Sequence, residues 1–234
     1  MERLAAELVA VAKKLVARDL VAGPGGNLSA IAGSLMLISP SGAALDELAP
    51  ESLVRVRLDS GRVDGRGRPS SEWAMHLACY RTRPDVTAVV HTHPPVTIGV
   101  ISTGSRIEAM FPDFAVLLPE VRVLEYILPT TDALAQAVAA EIRTAEAVLL
   151  RNHGVVTVGR TLREAFYRSE LVEASARILV AARTVGTPRI LTPAEIAEIR
   201  GLESEQYRIR HVAGGDGPSV ADARPGRVEA PDGR

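Results

Sequence analysis

The stretch "PSSEWAMHLACYRTRPDVTAVVHTHPP", residues 69–95, sets how the rest of the chain is read. Pro69 and the two serines after it suit a helix start, Glu72 stands in the first turn where a carboxylate favours the N-terminal dipole, and Pro84 stops the helical pattern. "VTAVVHTH" then reads as a mostly apolar, buried strand ending in His91 and His93. Residues two apart on a strand point to the same face, so both imidazoles project into one space.

Working outward, "MERLAAELVAVAKKLVARDL" (1–20) carries apolar residues at helical spacing. Glu2, Glu7, Lys13, Lys14, Arg18 and Asp19 interrupt it, which makes it an amphipathic helix rather than a signal peptide or a membrane span. "VAGPGGNLSAIAGSLMLISPSG" (21–42) sets two short apolar runs between Gly, Pro and Ser breaks, the pattern of a hairpin-like strand pair, and "LVRVRL" (53–58) alternates as another strand. Beyond the central stretch, "RVLEYIL" (122–128) predicts a weaker strand and "TDALAQAVAAEIR" (131–143) a helix capped at Thr131 or Asp132. "AVLLRNHGVVTVG" (147–159) predicts two buried strands around a turn at 152–154, and "TLREAFYRSELVEASARILVAARTV" (161–185) a long amphipathic helix. The order is mixed α/β, with neither a regular βαβ period nor internal repeats. Residues 1–211 read as one domain, and 212–234, rich in Gly, Pro, Ala and charge, as a disordered tail.

With 234 residues, 47% of them hydrophobic, the chain can bury one sizeable core. Only eight residues are aromatic, so that core must be built from Val, Leu, Ile and Ala. A net charge of -1 with both signs scattered offers no footprint for nucleic acid or an anionic membrane, which points to a small-molecule partner. The single Cys79 has no disulfide partner and fits a reduced compartment, the cytoplasm.

A histidine pair at a strand end is by itself more often structural or solvent-facing than a metal site. His153 in "RNHGVV" (151–156) changes the balance, because it too follows a buried run and precedes a glycine. Three neutral imidazoles plus an open position make the donor set of a catalytic zinc site. Glu72 alone could be a dipole partner, yet "PSSE" also gathers two hydroxyls and unpaired backbone N–H groups at one helix start, a ready anion site beside a possible general base. His76, four residues on, shares a face with Glu72 and reads as a supporting or surface residue rather than a ligand. "GPGGNLS" (23–29) and "SPSG" (39–42) are flexible enough to converge N–H groups on phosphate oxygens, although Gly-rich turns are mostly just turns and neither matches a nucleotide fingerprint.

Taken in order, "GGNLS", "ISPSG", the 69–95 stretch and "NHGVVTVG" followed by "LREAFYRSELVE" resemble the metal-dependent class II aldolases, the family of L-fuculose-1-phosphate aldolase, L-ribulose-5-phosphate 4-epimerase and the adducin head. The resemblance spans roughly residues 1–210. It implies a three-layer α/β/α fold with a largely antiparallel central sheet, and a homotetramer with active sites between subunits. It also implies one zinc ion per subunit, with cobalt or manganese as substitutes, held by His91, His93 and His153. Glu72 matches the catalytic acid/base, and Asn27, Ser41, Gly42, Ser70 and Ser71 match the phosphate-binding positions.

The implied activity is aldol cleavage of a phosphorylated ketose, such as an L-fuculose-1-phosphate-like ketose 1-phosphate, to dihydroxyacetone phosphate and an aldehyde. A second proton donor is where this chain departs from the pattern: "EAMFPDFAVLLPE" (108–120) lacks the aldolase tyrosine and offers Asp113, which resembles an epimerase aspartate or is a structural loop residue. Tyr207 in "SEQYRIR" (204–210) resembles a tyrosine of the family's C-terminal segment. The same fold accommodates a sugar-phosphate 4-epimerase, dehydratase or decarboxylase as the alternative, and a non-catalytic adducin-like module as a remoter one.

Overall fold

The computed structural model describes residues 1–214. Its centre is a seven-stranded sheet of β1 (Asn27–Ala32), β2 (Leu35–Ile38), β3 (Val54–Arg57), β4 (Ala88–Thr92), β5 (Val121–Leu124), β6 (Ala147–Leu150) and β7 (Gly154–Gly159), in the order β3-β2-β1-β4-β7-β6-β5. Every pairing is antiparallel except β5 with β6. Short hairpin links such as Gly33–Ser34 and 151–153 give antiparallel neighbours directly, whereas the parallel β5–β6 pair is joined through a helix.

Strand alternation sorts the core into two faces. Leu28 and Ala30 of β1 and Ala88 and Val90 of β4 pack with α1 (Glu2–Ala17) and the start of α6 (Leu162–Val185). Val89, Val156 and Val158 turn the other way, against α2 (Trp73–Thr82) and α5 (Asp132–Ile142). The first of these layers is extended by α3 (Pro95–Ser102) and α4 (Pro112–Leu117), which pack with α6, and by α7 (Pro193–Gly201), which packs with α4; α8 (Glu203–Val212) follows against α4 and α7. The expected three-layer arrangement around a largely antiparallel sheet is therefore the one found. Ala88, Val89 and Val90 are fully buried, and each valine so removed from water contributes up to about 2 kcal/mol.

Helix starts follow their side chains. Thr131 Oγ1 accepts from Leu134 N–H and Thr161 Oγ1 from Glu164 N–H, while Thr192 and Glu195 form a reciprocal capping box on α7. Three differences from the sequence reading concern the site. Glu72 sits at the N-cap of α2, one position before the first turn, with its carboxylate making no cap bond. β5 ends at Leu124, so residues 125–130 leave the sheet instead of extending it to 128. α8 runs to Val212, whose side chain is buried, and the tail expected from residue 212 lies outside the described residues from 215 on. Among the described residues, no helix is long and apolar enough to cross a membrane.

Candidate metal centre

The antiparallel register puts Asn27 of β1 opposite His91 of β4, and His91 opposite Val156 of β7, so three neighbouring strands reach the same end of the sheet together. His91 is fully buried, and its Nδ1 hydrogen-bonds the Val155 carbonyl at 3.0 Å. A carbonyl only accepts, so Nδ1 carries a proton and the ring presents Nε2 to the space beside it. His93 lies one residue past β4, tied by its N–H to the Leu20 carbonyl at 2.9 Å, and its Nε2 meets that of His91 at 2.9 Å. His153 sits in the β6–β7 turn, its N–H on the Leu150 carbonyl, beside Asn152 at φ 57. From the start of α2, Glu72 closes the set: Oε2 is 3.1 Å from His91 Nε2, and Oε1 is 3.4 Å from His153 Nε2.

These four ligand atoms lie within 4.8 Å of one another. Donors about 2.0 to 2.1 Å from a tetrahedral zinc ion stand roughly 3.3 Å apart, which is the scale of the contacts found. The chemistry of the set agrees. Glu72 Oε1 and His153 Nδ1 are buried without a hydrogen-bond partner, and lone pairs outnumber protons where the four groups face each other. Such a cluster of acceptors is stabilised by a cation.

Electrostatics prepare the ligands. Burial, followed by a smaller electrostatic effect of neighbouring His91, pushes His93 down to about 3 and His153 down to about 4, which keeps both imidazoles neutral near pH 7. Burial alone would raise Glu72; the neighbouring His91 and His153 and the hydrogen bond from Asn27 Nδ2 outweigh burial and hold the carboxyl below the usual carboxylate range.

Backbone fills the space behind the rings. A Cβ on Gly154 would strike the Thr92 carbonyl oxygen and lie 2.7 Å from His93 Cδ2, and one on Gly25 would lie 2.9 Å from His93 Nδ1. Both positions therefore require glycine for a steric reason at the site. In front of the rings is a cavity of about 240 Å³. Asn27, Ser41, Gly42, Ser70, Ser71, Glu72, His93 and His153 all line it, so the hydroxyl-bearing loops and the ligand cluster share one space. Ser70 Oγ accepts from Glu72 N–H at 3.3 Å.

Two of the residues singled out from sequence lie elsewhere. Asp113, in the first turn of α4, pairs with Arg208 at 2.8 Å, and Tyr207 stacks on His211 with ring centroids 6.0 Å apart. Neither lines the cavity of its own chain. Sequence reading did not assign a role to Thr130, which lines the cavity at φ 66, or to Gly25 and Gly154. For Gly154 the available signal was its place directly after His153; Gly25 stands two residues before Asn27 in the Gly-rich loop, with nothing in the sequence to link it to His93. His76 is fully buried and bonded, which settles it as a supporting residue rather than a surface one.

Comparison with known proteins gives the same region. Residues 6–180 match the family model of the class II aldolase and adducin N-terminal domain. A 5-deoxy-D-ribulose 1-phosphate aldolase of Bacillus thuringiensis is 36% identical over 195 residues, covering 82% of this chain and 92% of that protein. An L-fuculose phosphate aldolase of Methanocaldococcus jannaschii is 30% identical over 172 residues, 74% of this chain and 93% of the relative. A solved structure of an L-fuculose 1-phosphate aldolase superposes with a TM-score of 0.79 at 35% identity, covering 86% of this chain and 95% of the other.

Proposed function

Since the chain belongs to the class II aldolase and adducin N-terminal domain family, we propose that it is a metal-dependent aldolase that reversibly cleaves a ketose 1-phosphate, of the L-fuculose or 5-deoxyribulose type, into dihydroxyacetone phosphate and an aldehyde. The observation that carries this reading is the convergence of Glu72, His91, His93 and His153, with all but the fully buried His91 lining a cavity walled by serines and glycines.

His91, His93 and His153 would hold the ion. Zinc is the first choice for neutral imidazoles at tetrahedral spacing, with cobalt or manganese as substitutes. When bound, the ion supplies a Lewis acid for the negative charge that develops as the carbon–carbon bond breaks. Glu72 delivers a proton to the carbon left on the ketone fragment, and removes it in the direction of synthesis. Ser41, Gly42, Ser70 and Ser71 form the wall that receives the phosphate, turning remote binding energy into orientation at the reacting carbons, and Asn27, also expected at the phosphate, lines the same cavity with its side-chain amide held by Glu72 and His76.

The hydroxyl proton of the carbon that becomes the aldehyde needs a second acceptor. Asp113 and Tyr207 are kept for that role. Arg208 ties Asp113 to the helix that carries Tyr207, so the two belong to one surface region away from their own cavity. In a homotetramer with sites between subunits, that region would serve a neighbour's cavity. The buried, unpaired thiol of Cys79 accords with a cytoplasmic setting.

The test is to load the full chain with zinc, cobalt or manganese and to assay ketose 1-phosphates with dihydroxyacetone phosphate as the readout. Release of that product is expected, and Glu72→Gln should keep the metal while slowing turnover about 10²- to 10⁴-fold. A protein that binds metal but yields no dihydroxyacetone phosphate from any substrate would be an epimerase, dehydratase or decarboxylase. One that takes up no metal after reconstitution would be a non-catalytic module.

A further inference from the structure

Beneath the metal cluster, two periodicities interlock. Glu72, His76 and Tyr80 recur every four residues along one face of α2, from its N-cap to its last turn, and Asn27 and Ser29 alternate on the facing side of β1. Their side chains bond in strict alternation: Tyr80 Oη to Ser29 Oγ at 2.7 Å, Ser29 Oγ to His76 Nδ1 at 2.7 Å, His76 Nε2 to Asn27 Oδ1 at 2.6 Å, and Asn27 Nδ2 to Glu72 Oε2 at 3.0 Å. All five residues are buried, Ser29 and His76 completely.

The protons in this chain have one consistent order. A carboxylate accepts, so the amide nitrogen of Asn27 faces Glu72 and its oxygen faces His76. His76 must then carry its proton on Nε2, leaving Nδ1 to accept from the Ser29 hydroxyl, whose oxygen accepts from Tyr80. Every donor therefore points toward Glu72, and bonds aligned in one direction polarise one another. The end of the chain lies on the carboxylate that also touches His91 and His153. Both ends of the Asn27 amide are engaged in it, so that side chain serves Glu72 directly.

We propose that His76 is a positioning residue: by fixing the Asn27 amide in one orientation, it holds the Glu72 carboxylate in the pose from which it transfers protons. This rests on the aldolase reading above, in which Glu72 is the acid/base. Amides do not shuttle protons readily, so the chain orients Glu72 and does not feed it protons.

The test uses the metal-loaded full chain. His76→Leu is expected to lower kcat about 10- to 100-fold with KM and metal content unchanged, His76→Gln, which restores a donor toward Asn27, to recover most of the loss, and Tyr80→Phe to lower kcat a few-fold. In a Glu72→Gln background, His76→Leu should cost nothing further. An unchanged kcat in His76→Leu, an undiminished loss in the Glu72→Gln background, or a change carried by KM or metal content overturns the proposal. Should His76→Leu fail to fold, His76→Gln and Tyr80→Phe decide it alone, since wild-type kcat in Tyr80→Phe together with KM-only effects in His76→Gln contradicts it. A readout independent of activity separates this proposal from the aldolase reading: ring ¹⁵N shifts of His76 should show the neutral Nε2–H tautomer at pH 7, converting to a mixture in Asn27→Leu. The Nδ1–H tautomer in the wild type would refute the chain whatever the enzyme catalyses.

Discussion

The two ends of the central sheet both carry polar clusters, and the clusters are of opposite character. At the end where β4 leaves the sheet at Thr92, three imidazoles and one carboxylate face each other with no fixed positive partner among them. At the other end, where Ala88 pairs with Gly159, a cavity of about 200 Å³ is lined by Arg83, Asp85, Glu146, Arg160, Glu164 and Arg168. There Arg83 meets Asp85 at 2.7 Å, and Arg168, largely buried, meets Glu164 at 2.8 Å. Cations and carboxylates are supplied together, and only Glu146, raised by burial, keeps an oxygen without a hydrogen-bond partner. One end is balanced by the chain itself; the other would reach balance with a bound cation, as the proposed function requires.

The comparison can be broken in three ways. The largest effect is expected for His153→Ala, which removes a ligand: metal uptake should fail and activity should drop by about 10³-fold or more, about 4 kcal/mol of barrier. The thermal stabilisation that metal gives the wild type should vanish with it, measured as the Tm difference with and without chelator. Normal metal content in that variant would show that the cluster does not hold the ion. Next is Arg168→Met at the opposite end. It strands Glu164 in a buried place and should cost about 3 kcal/mol in denaturant unfolding, with metal content and KM untouched. A loss of metal there would mean that the two ends are coupled.

The smallest effect is on the pH dependence of the metal-free protein. Burial, followed by the potential of His91, pushes His76 down to about 3, below the ordinary value near 6.5, against a smaller opposing effect of Glu72. Its stabilising contribution is therefore complete above about 6.5 and declines as pH falls, because the unfolded chain takes up a proton that the folded chain refuses. Between pH 6 and 4 the wild type should lose about 1.4 kcal/mol more per pH unit than His76→Gln, read from urea midpoints. Parallel curves for the two proteins would show that His76 titrates normally.

The fold was legible where burial leaves a period. The strands at 88–92, 147–150 and 154–159 are buried at every residue and mostly apolar, and α1 and α6 carry their apolar faces over four turns or more. The short helices α3, α4 and α7 escaped because their spans of six to nine residues hold too few turns to establish a period. Each nevertheless begins with proline at its first helical position, Pro95, Pro112 and Pro193, a usable start signal. At the site, residue type and spacing announced the histidines and Glu72, since few other roles need imidazoles at three strand ends. The direction of the Asn27 side chain could not be read in the same way. An asparagine in a Gly-rich loop can face an anion or a neighbour equally well, and only the register of β1 against α2 decides that it faces Glu72 and His76.

Gly154 and Gly25 have a practical consequence for anyone mapping this protein by systematic substitution. An alanine scan assumes that alanine is a subtraction. At these two positions it is an addition, a methyl group pushed into the imidazole of a ligand or the carbonyl beside it. Both would score as severe losses and be filed with the histidines, although neither has a side chain to contribute. The residues that shape this centre include two whose function is to have nothing there.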